Sequence, residues 1–156
     1  MPVGAEVHRG RGSMASRIVL CDHDASFRGR LVAALEDEGE GDLELVGDVT
    51  RVAELQPLLA TCPADVVVLD IDGDDGRLGV LVDVAAETNV AVVSGCDEPA
   101  LVQRVLQAGA LGCLRRDTAS DEMLRMLRRA LDGMTAVTGE HALRVAESLR
   151  RRRAAG

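Results

Sequence analysis

Residues 66–76 read VVVLDIDGDDG. Val66, Val67, Val68 and Leu69 make the clearest buried-strand signal in the chain, and Asp70, Asp72, Asp74 and Asp75 follow within six positions. Aspartate is depleted in strands and favoured in turns, so the strand ends at Asp70 and a turn begins. Carboxylates this close raise one another's pKa unless a cation lies among them. The stretch is therefore either a divalent-metal site or an acidic turn in water. The D-x-D-x-D spacing opens like an EF-hand loop, but Asp75 stands where glycine is needed and Leu81 where a closing glutamate belongs.

Working outward, the same strand-then-helix pattern recurs on both sides. RIVLCD (17–22) is a short buried strand, and ASFRGRLVAALED (25–37) carries Phe27, Leu31, Val32 and Leu35 at helical spacing. LELVGD (43–48) is strand-like, and helical spacing returns over 50–62, where Pro57 is expected to kink the helix or end it early. The strand over 63–70 precedes a helix over 77–88, weakened by Gly79. NVAVVSG (89–95) is a fourth strand; 98–110 is a helix with Pro99 in its first turn. GCLRRD (112–117) is a fifth strand, and a helix over 118–133 opens with Thr118 and Asp121 in a capping-box-like arrangement and stops at Gly133. A last helix is expected over about 138–153, ending in the run Arg150–Arg153. Five apolar strands alternating with helices predict an α/β fold, a doubly wound five-stranded parallel sheet of the flavodoxin-like (βα)5 type, with an extra C-terminal helix.

Composition narrows the function. The chain has 156 residues, a net charge of −8 and 47% hydrophobic residues, so one domain with a substantial core is expected. Phe27 is its only aromatic residue, and all 18 basic residues are arginine. The acidic balance disfavours general nucleic-acid binding. Four cysteines, Cys21, Cys62, Cys96 and Cys113, show no zinc-site spacing, no secretory pattern opens the chain, and no apolar run is long enough for a membrane span. The expectation is a cytoplasmic protein with reduced thiols. Residues 1–16 read as a flexible tail in which Met14 is a second candidate start.

In doubly wound sheets ligands bind beyond the carboxyl ends of the strands. Asp22, His23 and Asp24 end strand one; Asp70, with Asp72 soon after, ends strand three; Ser94 ends strand four; Arg115 and Arg116 end strand five. A hard cation such as Mg²⁺ takes oxygen ligands, and a hydroxyl and a cation beside it suit phosphoryl chemistry at a carboxylate.

RIVLCDHDASFRGRL, ADVVVLD, AVVSG and QAGALGCLRRDTASDEML, in that order, resemble the receiver domain of two-component response regulators. The resemblance runs from about Arg17 to Gly133 and is closest to receivers of the LuxR-type subgroup. It implies a receiver over 17–133 followed by a helical extension over 134–156, too short for the subgroup's helix-turn-helix, hence a stand-alone, non-enzymatic domain without direct DNA binding. Asp70 resembles the phosphoacceptor. Asp22 matches the first of the acidic pair that organises Mg²⁺, with Asp70 and the backbone carbonyl of Asp72 as further ligands. Ser94 matches the hydroxyl that contacts the phosphoryl group, and Arg116 stands where the family carries a lysine. Two substitutions depart from the pattern: His23 occupies the second acidic position, for which Asp24 is a candidate substitute, and Cys113 replaces a switch aromatic. Imidazole is a poor Mg²⁺ ligand. The implied partners are a sensor histidine kinase or phosphotransfer protein, a downstream protein partner and a second copy in a homodimer.

Two other readings stand beside this one. A degenerate receiver would act as a phosphorylation-independent interaction module. LDIDGDD also resembles the start of haloacid-dehalogenase-type phosphatases, although that motif normally follows the first strand and here follows the third. Asp72, Asp74 and Asp75 read as a solvated loop, apart from the Asp72 backbone.

Overall fold

The structure is a computed structural model and describes residues 15–72, 76–95 and 98–137. In chain order the elements are β1 (Ser16–Cys21), α1 (Ala25–Asp37), β2 (Leu43–Val49), a 3-10 turn (Val52–Glu54), α2 (Leu55–Thr61), β3 (Val66–Asp70), α3 (Arg77–Ala85), β4 (Asn89–Ser94), α4 (Pro99–Gln107), β5 (Gly112–Arg115), α5 (Ser120–Leu131) and β6 (Ala136–Val137). The strands pair in the order β2-β1-β3-β4-β5-β6, all parallel. The five expected strands are present. The two-residue β6 is an addition, pairing Ala136 with Gly112 and Val137 with Cys113 on the outer edge of β5. The helix expected over 138–153, the segment 1–14, Asp74, Asp75 and Cys96 lie outside the described residues.

The alternation of side chains along each strand divides the core into two layers, because successive residues point to opposite faces. Ile18, Leu20, Val66, Val68, Ala91 and Val93 face Phe27, Leu31 and Ala34 of α1 and Met123, Leu124 and Leu127 of α5. Val19, Cys21, Val67, Leu69, Val90 and Val92 face Leu55, Leu81, Val84, Val102 and Val105 on α2, α3 and α4. Both faces of the sheet are covered, so the strands read as continuous apolar runs.

Helix ends follow local chemistry. Pro57 shifts the α-helix start: the segment enters as a 3-10 turn, and Pro57 is the third residue of α2, where its missing N–H would have had no helical partner. Pro99 is the first residue of α4. α5 ends in a Schellman motif, with Gly133 at φ +75°, its N–H on the Ala130 carbonyl at 3.0 Å and the Met134 N–H on the Arg129 carbonyl at 2.9 Å. The expected capping box at Thr118 does not form. α5 starts at Ser120 after Ala119, without a side-chain cap, and the Thr118 hydroxyl is buried with no hydrogen-bond partner among the described residues.

β1 lies between β2 and β3, so chain order reverses there and the ends of β1 and β3 open side by side, Cys21 opposite Leu69. That reversal sets Asp22 and Asp70 next to each other at the carboxyl edge.

Candidate functional site

Asp70 is the last residue of β3 and is completely buried; Asp22, one residue past β1, is 4% exposed. Two carboxylates taken out of water need compensating donors. Arg116, one residue past β5, serves both. Its Nη1 lies 2.9 Å from Asp22 Oδ2 and 3.2 Å from Oδ1, and its Nη2 lies 2.8 Å from Asp70 Oδ1. The guanidinium stacks over the Phe27 ring, 5.7 Å from the centroid. The Arg116 N–H donates to the Ser94 carbonyl at 2.8 Å, continuing the β4–β5 ladder past the strand end. Arg30 of α1 donates to the carbonyls of Arg116 and Thr118 and so fixes the loop that carries the guanidinium.

Asp70 has further partners. Its Oδ1 accepts from the Asp72 N–H at 2.8 Å, and its Oδ2 pairs with His23 Nδ1. Arg77, in the first turn of α3, is buried; its Nη1 donates to the Asp70 carbonyl at 2.9 Å and lies 3.5 Å from Oδ2. Sequence reasoning missed Arg77. The available signal was a cation at a helix N-terminus, the end that the helix dipole makes unfavourable for positive charge.

Asp72 departs from the expected solvated loop. Its side chain is 32% exposed and accepts from Ser94 Oγ at 2.8 Å, the Gly95 N–H at 2.9 Å and Arg116 Nη2 at 3.2 Å. Asp24, the candidate substitute acid, caps α1 and lies beside Arg116. Its Oδ1 caps α1 through the Ser26 N–H at 2.9 Å and Ser26 Oγ at 2.7 Å, while Oδ2 lies 3.6 Å from Arg116. Cys113 is buried inside β5, between Val92 of β4 and Val137 of β6.

These contacts set the electrostatics. Burial pushes the Asp22 carboxyl above its ordinary range, only partly offset by the Asp24 N–H and Arg116. Burial works against the charge of Asp72 as well, but the Gly95 N–H, Ser94 hydroxyl and Arg116 outweigh it and hold the carboxyl below the usual range. Arg116 loses hydration through burial, and Asp22, Asp70 and Asp72 more than compensate, holding it firmly charged.

Asp22, His23 and Asp70 bring one ligand atom each within 4.8 Å of one another. This donor set fits a resident Mg²⁺ badly. Both oxygens of Asp22 and both of Asp70 already face N–H groups of the protein, the third donor is an imidazole nitrogen, and two guanidinium groups supply positive charge where the ion would. Beside the cluster a cavity of about 350 Å³ opens between Phe27, Arg30, Gly95, Arg116 and Asp117.

No protein-family model matches the chain. It is 30% identical over 142 residues to the transcriptional regulatory protein NarL of Mycobacterium tuberculosis, an alignment covering 88% of this chain; the chain spans 65% of that relative's length. The solved signal receiver domain of NarL from the same organism is 31% identical, with a TM-score of 0.67, covering 76% of this chain and 98% of the other. A LuxR-family two-component response regulator from Aurantimonas sp. SI85-9A1 shares the fold at 19% identity, with a TM-score of 0.74 and coverage of 86% and 97%. Among the described residues no helix is long and apolar enough to cross a membrane.

Proposed function

The chain belongs to the receiver domains of two-component response regulators, and on that premise we propose that Asp70 accepts a phosphoryl group and that the domain signals through protein contacts. The donor is a phosphohistidine on a sensor kinase or phosphotransfer protein. A carboxylate oxygen of Asp70 forms the new P–O bond as the P–N bond to the donor imidazole breaks. The observation that carries this reading is the meeting of Asp22, Asp70 and Asp72 on the single guanidinium of Arg116. Phosphoryl transfer is catalysed mostly by positioning and charge neutralisation. Arg116 and Arg77 supply the neutralisation. Arg116 replaces the point charge of a lysine with a planar fork that holds two carboxylates at once.

The signalling face is that of α4, β5 and α5, with β6 lying on the β5 edge. Phosphorylation biases a two-state equilibrium there, which a downstream protein or a second copy reads. Residues 17–133 act as the receiver, and β6 (Ala136–Val137) extends that face at the β5 edge.

A second reading, a phosphorylation-independent interaction module, is favoured by one observation: every carboxylate oxygen of Asp70 is already paired within the protein. Phosphomonoester hydrolysis fits less well, because Asp72, the second acid of the DxD pair, is tied to Ser94 and Arg116 instead of standing free as an acid/base. Incubation with acetyl phosphate followed by intact-mass measurement separates the readings. One added phosphate in the wild type and none in Asp70→Asn supports the phosphoacceptor; no addition to the wild type supports the interaction module.

A further inference from the structure

Three donors from two strand ends converge on one carboxylate. Ser94 Oγ, itself 1% exposed, donates to Asp72 Oδ1 at 2.8 Å. The Gly95 N–H donates to Asp72 Oδ2 at 2.9 Å, and Arg116 reaches the same oxygen through Nη2 at 3.2 Å and Nε at 3.4 Å. Asp72 and Ser94 are 22 residues apart, so this is no local turn. A hydroxyl, a backbone N–H and a guanidinium spread around one point form a seat for an oxyanion. Asp72 is tethered there by its own chain, two residues from Asp70, whose Oδ1 accepts the Asp72 N–H.

We propose that the Asp72 carboxylate is a built-in occupant of the oxyanion seat made by Ser94, Gly95 and Arg116, which an incoming phosphoryl group must displace. The phosphoryl part of this inference rests on Asp70 being the acceptor; the existence of the seat does not. Two consequences follow. Phosphorylation by small donors is slowed but not blocked, because a tethered carboxylate competes at high effective concentration. The end of β4 is also held in its anion-bound arrangement before any phosphoryl group arrives. The depressed Asp72 carboxyl agrees with a charged occupant.

The Asp70→Asn background, in which no acyl phosphate can form at position 70, tests the seat directly. Inorganic phosphate is titrated into Asp70→Asn, Asp70→Asn/Asp72→Ala and Asp70→Asn/Asp117→Ala, following the Gly95 amide by ¹⁵N NMR. Asp117 lines the adjoining cavity and its carboxylate pairs with Arg115 rather than with a seat donor, so its removal controls for net charge. Removing Asp72 is expected to tighten phosphate binding about tenfold or more, with Asp117→Ala having much less effect. Equal tightening by both substitutions, or none by Asp72→Ala, overturns the proposal. In the Asp70-intact chain, Asp72→Ala is expected to label with acetyl phosphate faster than the wild type. Tightened phosphate binding without labelling in any variant retains the seat and removes Asp70 as acceptor. Labelling at unchanged rate with unchanged phosphate binding retains Asp70 and removes the seat.

Discussion

Arg116 Nη1 lies 2.9 Å from Asp22 Oδ2 although 94 residues separate the two in sequence. The same guanidinium also neutralises Asp70. Removing one partner of a buried charge pair leaves the other uncompensated, at a cost of about 3–5 kcal/mol. Arg116→Ala is therefore expected to lose about that much in urea unfolding at neutral pH. Arg116→Lys restores a single point charge and recovers only part of the loss. A stability change within about 0.5 kcal/mol for Arg116→Ala, typical of an ordinary surface site, contradicts the role of Arg116 as the hub.

Gly109 ends α4 at φ +115°, and a Cβ placed on it would lie 2.8 Å from the Ala85 Cβ of α3. Its N–H donates to the Leu106 carbonyl and that of Ala110 to Val105, so the conformation closes the helix. Gly109→Ala is expected to destabilise by about 1–3 kcal/mol from backbone strain alone, with the clash adding to it. The double variant with Ala85→Gly should lose the clash and keep the strain. Equal thermal midpoints for Gly109→Ala and the wild type would show that the turn has another geometry.

Asp42 receives Arg128 Nε at 2.7 Å and Nη2 at 3.0 Å, tying α5 to the turn before β2. Chiefly through that bond, its carboxyl is held below the ordinary range. A carboxyl with a depressed folded pKa stabilises the fold above its unfolded value, about 3.9, and loses that contribution as pH falls through the folded value. The pair is partly exposed, so solvent screening limits it to about 0.2–1 kcal/mol. Asp42→Asn should be less stable than the wild type by this amount at pH 7. The gap should close on acidification below about pH 4, as read by urea midpoints. A gap that widens in acid has the wrong sign.

The charge balance around Asp70 also predicts the response to metal removal. With Arg116 and Arg77 as the neutralising groups, labelling by acetyl phosphate should proceed at an unchanged rate after extensive chelation. Abolition by chelation and restoration by Mg²⁺ would return the ion to the mechanism.

Much of this site can be read in the chain because a parallel sheet brings strand ends together. Once 16–21, 66–70, 89–94 and 112–115 are recognised as strands, Asp22, Asp70, Ser94 and Arg116 must share one edge. What escapes such reading depends on side-chain reach. Arg77 meets Asp70 only because the first turn of α3 folds back over the end of β3, and the sequence between them, IDGDDG, carries no periodic pattern. Asp72 looks like one of several turn aspartates; its distinction is the position of Ser94, Gly95 and Arg116 around it. Thr118 fits a capping pattern, yet the loop from Arg116 is held by Arg30 and α5 starts two residues later. β6 is too short to carry a periodic signal, and pairing with β5 defines it.

The most direct test of Asp70 as acceptor is chemical trapping. An acyl phosphate on aspartate is reduced by borohydride to homoserine, which marks the residue permanently. Peptide mapping of the chain after acetyl phosphate and borohydride should find homoserine at position 70 and leave Asp22, Asp24 and Asp72 unchanged. Unmodified Asp70 after prolonged incubation with acetyl phosphate, or homoserine at another aspartate, would contradict it.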